Sequence, residues 1–213
     1  MAPLALCYHA VSPTWEHRLS IQPELLLRQV RLVSRFRRIR VTFDDAFRSA
    51  AGVFPELQQL GLPITIFVCS ALARDGSPLA IAELEGDDPN ELATMTWDEL
   101  RGLAERGVEI QSHGVSHAHL TRLSDDALRA ELADSKAELE DELHRPCTEL
   151  AYPFGEHDGR VRAAARAASY SRAFALWDAP KNDRYAERRL DLYRRHTPLR
   201  ALLMTTPLHR FAA

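Results

Sequence analysis

Short runs of β-branched and aromatic residues alternate with amphipathic stretches along most of the chain, and this alternation restricts the fold more than any other feature. Leu4–Tyr8, Ile39–Phe43 and Ile64–Val68 are apolar runs of strand length, too brief for helices. After Pro23, the residues Leu26, Val30, Val33 and Phe36 recur at helical spacing through an arginine-rich stretch. A second helix is expected after Asp44 and Asp45, running to about Leu60 and closed by Gly61 as its C′ residue. Thr96-Trp97-Asp98-Glu99 carries the hydroxyl and carboxylate of a capping box, with Trp97 as the first hydrophobic anchor. That helix ends at Gly107, ahead of a strand from Val108 into Ser112-His113. Ser124 opens the longest helix, with Asp125 and Asp126 where the helix dipole favours acids. Leu150–Tyr152 is a strand, Gly159–Ala168 a helix, and Ser171–Leu176 and Leu190–Tyr193 are weaker strands. Residues 70–95 read as a surface excursion.

Buried strands separated by helices imply parallel βα units covered on both faces. The strand count is about seven, just short of a full eight-stranded barrel. The expectation is an α/β chain, either a deformed barrel or an open doubly wound sheet. No linker or repeat divides the 213 residues, so residues 1–213 are read as one domain. At 46% hydrophobic and 27% charged, the composition excludes a disordered polymer or a disulfide miniprotein. The formal net charge of -3 gives no global field for nucleic acid or an anionic membrane. Almost all the positive charge is arginine, apart from Lys136 and Lys181, and reads as scattered. Cys7, Cys69 and Cys147 are widely spaced and read as small core residues. There is no basic signal-like start and no span of about 18 apolar residues, so a cytoplasmic location is expected.

In parallel α/β folds, chemistry sits at the C-terminal ends of strands. The residues there are His9, Asp44, Asp45, His113 with His117, and the turn after Tyr152. His113 and His117 would share a face if the segment after their strand turned helical, which suits one cation. Adjacent strand side chains diverge, so one of Asp44 and Asp45 can bind a metal while the other accepts a proton. Two histidines and one carboxylate leave coordination positions open, the pattern of a catalytic site.

These residues resemble the polysaccharide deacetylases, the NodB-homology domain of carbohydrate esterase family 4. Thr42-Phe43-Asp44-Asp45 is similar to the first motif, Ser112-His113-Gly114-Val115-Ser116-His117 to the second, and Ala151-Tyr152-Pro153-Phe154-Gly155 to the third. The resemblance extends to Leu6–Val11 and Trp97–Leu100, so it spans nearly the whole chain. It implies a deformed (β/α) barrel of about seven parallel strands. It implies Asp45, His113 and His117 as ligands of a divalent cation, usually zinc, with cobalt, nickel or manganese as alternatives. Asp44 would be the general base, and Tyr152 and Phe154 would border the substrate, the Phe154 N–H helping to hold the oxyanion. The activity implied is removal of acetyl groups from an N-acetylated or O-acetylated sugar or glycoconjugate, with no nucleic-acid partner. Two alternatives are a cyclic-amide hydrolase like the allantoinases and a non-catalytic module that keeps the metal.

Three departures from the family pattern bear on that reading. Ala46 stands where the first motif continues with Gly, which is strained if φ is positive. Ala151 stands where the third motif has the Arg that pairs with the base; Arg188 or Arg189 could replace it, and Arg189 is preferred. The Leu-x-His of the last motif has no match; His196 reads as a loop residue and His9 is the alternative acid. His119 is expected to point away from the metal, His157 and Asp158 to line the rim or cap a helix, and Trp177, Asp178 and residues 180–183 to border a groove or form a loop.

Overall fold

Parallel strands that are apolar throughout cannot leave either face in water, and the chain meets this by rolling them into a barrel inside a layer of helices. The computed structural model describes residues 3–176, 180 and 182–206. In chain order the elements are β1 (Leu4–Tyr8), β2 (Ala10–Val11), β3 (Ser20–Ile21), α1 (Pro23–Ser34), β4 (Ile39–Phe43), α2 (Phe54–Gln59), β5 (Ile64–Val68), α3 (Pro89–Leu92) and α4 (Trp97–Glu105). There follow β6 (Glu109–Ser112), α5 (Asp125–Leu143), β7 (Glu149–Ala151), α6 (Gly159–Ala167), β8 (Arg172–Ala175), β9 (Glu187–Arg188), β10 (Leu190–Asp191) and α7 (Pro198–Met204).

The main sheet has the order β10-β1-β4-β5-β6-β7-β8-β9, and every pairing in it is parallel. Its two edges are one passage of chain: β9 pairs with β8, β10 pairs with β1, and only Arg189 lies between them. The Arg189 amide donates to the Ala175 carbonyl and the Leu192 amide to that of Cys7, so residues 187–192 close the barrel. The open doubly wound alternative is thereby excluded, and seven chain passages make up the eight assigned strands.

Strand periodicity sorts the side chains into two compartments. Leu6, Tyr8, Val41, Phe43, Ile66 and Val68 pack outward with Leu26, Val30 and Val33 of α1 and with residues of the other helices. Ala5, Phe67, Ala151 and Phe174 form a separate cluster inside the barrel. The capping box at Thr96 is present, with Glu99 reaching back to the Thr96 amide, and Trp97 is buried. All three cysteines are free and buried.

One expected helix is broken. After Asp45 the chain forms a 3-10 segment, Arg48–Val53, and becomes α-helical only at Phe54. Pro55 is the reason: it lacks an N–H and clashes with the preceding turn, so it is tolerated only at a helix start. The expected strand and helix ends otherwise agree to within one or two residues. Among the described residues, no helix is long and apolar enough to cross a membrane.

The N-terminal mouth of the barrel is plugged by charge. Arg40 points inward and donates to Thr65 Oγ1 at 2.7 Å, to Glu109 at 3.0 Å and to both oxygens of Glu149. Glu149 is nearly buried, 13% exposed, whereas the Glu109 side chain is 57% exposed. Replacing Arg40 by Ala leaves Glu149 only the longer Arg172 contact at 3.6 Å and should cost about 3 kcal/mol, the low end for a broken buried pair. Glu109→Gln should cost less than about 1 kcal/mol, because water already solvates that carboxylate. Urea unfolding of the two variants checks the contrast.

Candidate active site

The site is built where β1, β4, β6 and β10 end. Asp44 continues β4 by one residue, its amide donating to the Tyr8 carbonyl at 2.9 Å. The next two residues turn into the left-handed region, Asp45 at φ 65° and Ala46 at φ 52°. The strain expected at Ala46 is therefore present, at about 1–2 kcal/mol for a residue with a Cβ. Its methyl group is buried, which returns about 0.8 kcal/mol of that strain.

The turn sends the two aspartates apart. Asp45 Oδ1 lies 3.3 Å from His113 Nε2 and 3.1 Å from His117 Nε2. The histidines do not share a helix face, contrary to the expectation from their spacing. His117 sits in a loop at φ 58°, and Gly114, at φ 84°, makes the turn before it. A Cβ on Gly114 would come within 3.0 Å of Glu131 Oε1. That carboxylate accepts from the Ser116 amide at 2.6 Å and ties the loop to α5.

The three donors fit a cation. His113 Nδ1 is 2.8 Å from the Ala151 carbonyl, which can only accept, so Nδ1 carries the proton and the Nε2 lone pair is free. Asp45 Oδ1 is buried without a hydrogen bond. A tetrahedral ion with bonds of about 2.0–2.1 Å sets its donors roughly 3.3–3.4 Å apart, close to both separations seen. Burial would raise the Asp45 carboxyl, but His117 and His113 hold it well below the usual carboxylate range.

Asp44 has different partners. Arg189 Nη1 donates to its Oδ1 at 2.6 Å and Nη2 to its Oδ2 at 2.7 Å, a bidentate pair with both side chains buried. The guanidinium also reaches Thr42 Oγ1 at 3.2 Å and lies over Phe67 and Phe174, 5.1 and 5.8 Å from their centroids. Cys7 Sγ lies 3.5 Å from Asp44 Oδ2. Burial pushes the Asp44 carboxyl up, and Arg189 and His113 more than reverse this, so it stays ionised below the usual range.

A cavity of about 190 Å³ opens over both aspartates, with His9, His113, His117 and Phe154 in its wall. His9 brings a ring nitrogen within 4.8 Å of an Asp44 carboxylate oxygen. Phe154, at φ 59°, sets its ring edge-on to His117 and stacked on His119, 3.8 Å between centroids. Tyr152 does not reach the cavity: its side chain is buried and its hydroxyl donates to the Tyr185 carbonyl at 2.7 Å. With Ala151 facing into the barrel, strand alternation turns Tyr152 outward. His119 pairs with Glu156, and His196 Nδ1 accepts from the Tyr193 amide in a terminal turn. Asp158 caps α6, and the His157 ring packs near Tyr152. Trp177, Asp178 and Lys181 lie outside the described residues.

Sequence reasoning passed over Asp191 and Tyr193. Asp191 is buried at the end of β10 and accepts from the Tyr193 hydroxyl, and Tyr193 lines the cavity. Burial raises the Asp191 carboxyl, with His9 pulling it back. Its place two residues beyond Arg189 on the closing strand was the available signal.

The family model described as Polysaccharide deacetylase matches residues 34–173, and the chain belongs to that family. The Bacillus subtilis (strain 168) protein YxkH, itself classed only as a candidate polysaccharide deacetylase, is 25% identical over 133 residues. That match covers 62% of this chain and 42% of YxkH, so the chain spans under half the length of this curated relative. The Streptococcus pyogenes deacetylase PplD, solved in complex with acetate, superposes with a TM-score of 0.79 at 20% identity, covering 97% of this chain and all of that one. A de-N-acetylase from Aggregatibacter actinomycetemcomitans gives 0.73 at 17% identity, covering 88% and 94%. At these identities the likeness to the solved structures is one of fold.

Zinc titration followed by calorimetry should show one tight site that is lost in Asp45→Ala and His113→Ala and kept in Asp44→Asn. Burial lowers the tendency of His113 to take a proton, but Asp44 and Asp45 outweigh it and raise its pKa above the ordinary histidine value. Zinc affinity should accordingly fall as pH is lowered through that range, because the proton competes for the same lone pair.

Proposed function

We propose that the chain is a metal-dependent hydrolase that removes acetyl groups from an N-acetylated or O-acetylated sugar or glycoconjugate. The observation that carries this reading is the division of labour between adjacent aspartates. Asp45 joins His113 and His117 in a three-donor set, while Asp44 is held by Arg189 and faces the same cavity. Membership of the polysaccharide deacetylase family supports the substrate class.

Asp45, His113 and His117 would hold a divalent cation, for which zinc is the best match to two imidazoles and a carboxylate, and when bound it would supply Lewis acidity to the acetyl carbonyl and lower the pKa of water toward neutral. Asp44 takes the proton of the attacking water, and the Arg189 fork keeps the accepting oxygens aimed at the cavity. Phe154, in the cavity wall, would offer its backbone N–H to the developing oxyanion. His9, in the wall of the same cavity, delivers a proton to the leaving nitrogen or oxygen. Arg189 is a positioning residue: it touches the base and not the substrate. A cytoplasmic location belongs to the same proposal, supported by three thiols that are free and buried.

Acetate release from N-acetylated and O-acetylated oligosaccharides, in the presence of zinc, tests the reading. Asp44→Asn should reduce kcat by about 10²–10⁴-fold. Turnover of small cyclic amides in place of acetylated sugars would favour the allantoinase-like alternative. Zinc binding without turnover on either panel would leave a non-catalytic module.

Arg189→Ala should lower kcat and shift the acidic limb of the pH–rate profile upward, because Asp44 then loses the charge that keeps it ionised. Ala151→Arg in that background should recover part of the loss, since Ala151 and Arg189 share the interior of the barrel with Phe67 and Phe174. Recovery of the pH profile, and not only of folding, distinguishes positioning from stability.

A further inference from the structure

The arginines are not evenly scattered once the chain is folded. Between Glu24 and Asp44 there is no acidic residue, and Arg28, Arg31, Arg35, Arg37 and Arg38 fall within that span. All five are exposed, and none has an ion pair among the described residues. Arg40, in the same span, meets Glu109 and Glu149, and Arg48, Arg74, Arg101, Arg160 and Arg172 each meet a carboxylate. What sets the five apart is that they lie together on one stretch of chain with no acidic residue among them.

The unpaired group runs along the second half of α1 into the turn before β4, at the N-terminal mouth of the barrel. At the centre of that turn Phe36 is 65% exposed, flanked by Arg35 and Arg37. It lies between two shallow grooves, one walled by Arg35, Leu62 and Pro63 and the other by Pro3, Arg38 and Arg188. Glu187 in the second groove is already matched by Arg172. Leu60, another of the few exposed large hydrophobic residues, immediately precedes the Gly61–Pro63 wall.

We propose that this end of the barrel docks on an anionic lipid bilayer, with Phe36 entering the interface and Arg35, Arg37, Arg38 and Arg188 meeting the headgroups. An aromatic ring in water next to unpaired guanidinium groups matches the amphipathic boundary of a bilayer, where rings and basic side chains both find partners. A nucleic-acid track would interleave several stacking rings along a basic groove, and Phe36 is the one exposed ring here among the described residues. Docking by this face leaves the catalytic cavity at the opposite end, across the length of five-residue strands, about 17 Å. The bound protein therefore holds its cavity open to the aqueous side, away from the headgroups it rests on. The inference is independent of the proposed reaction.

Sedimentation with vesicles of equimolar phosphatidylcholine and phosphatidylglycerol, against vesicles of phosphatidylcholine alone, tests it. The protein should pellet with the anionic vesicles only, and less as salt is raised. The triple variant Arg35→Gln, Arg37→Gln, Arg38→Gln should weaken binding about 100-fold, on the basis of roughly five-fold for each basic residue. Phe36→Ala should weaken it at every salt concentration without altering the salt dependence. Unchanged circular dichroism and zinc binding in both variants would establish that the fold is intact. Binding that ignores lipid charge, absence of binding at low salt, or vesicle binding unaffected by the triple variant would each overturn the proposal. Retention on double-stranded DNA with the vesicles ignored would overturn it in favour of nucleic acid.

Discussion

A guanidinium group with no access to water occupies the centre of this barrel, and the arrangement of the site follows from how that charge is stabilised. Arg189 can sit there because Asp44 takes both of its Nη groups in a fork and because the faces of Phe67 and Phe174 lie against its plane. The same contacts fix Asp44. A carboxylate at the mouth of an apolar barrel would otherwise be driven toward its neutral form by burial, and a neutral carboxyl is no base. One ion pair thus settles both the orientation and the charge of Asp44, the proposed proton acceptor. The neighbouring Asp45 is left to the imidazoles because the backbone turns left-handed between the two.

The positive charge beside Asp44 comes from the closing strand, where the family resemblance implies an arginine on the strand that carries Ala151. Ala151 occupies the position where the third motif carries arginine, and its methyl group packs with the two phenylalanines inside the barrel. The space a long side chain would need there is taken by one that enters from the closing strand. Ala151 nonetheless retains a part in the site through its carbonyl, which holds the His113 ring in the tautomer that frees Nε2.

Most of the fold and the chemical core of the site could be read from residue order. The alternation of short apolar runs with amphipathic stretches carried the parallel barrel, and the polar residues ending those runs carried Asp44, Asp45, His113 and His117. What escaped depended on local backbone geometry or on strand parity. The loop that brings His117 back to Asp45 uses φ 58°, which no residue type at that position announces. Pro55 did announce the break ahead of α2, and its weight was overlooked beside the apolar pattern. Parity separates Arg189 from Arg188 and turns Tyr152 away from the cavity, but it needs strand limits known to one residue. The last strand, with two short halves pairing to different neighbours, is where limits are hardest to read.

The residue that closes the barrel is also the one that keeps Asp44 charged, and 145 positions separate the two. A ribosome therefore releases Asp44 long before its counter-ion exists, and Asp45, His113 and His117 are all made while the last strand is still to come. A chain made only as far as β8 would carry all three proposed cation ligands without Arg189 beside Asp44, so on the proposed reaction the carboxylate would be poised only when the last passage is in place.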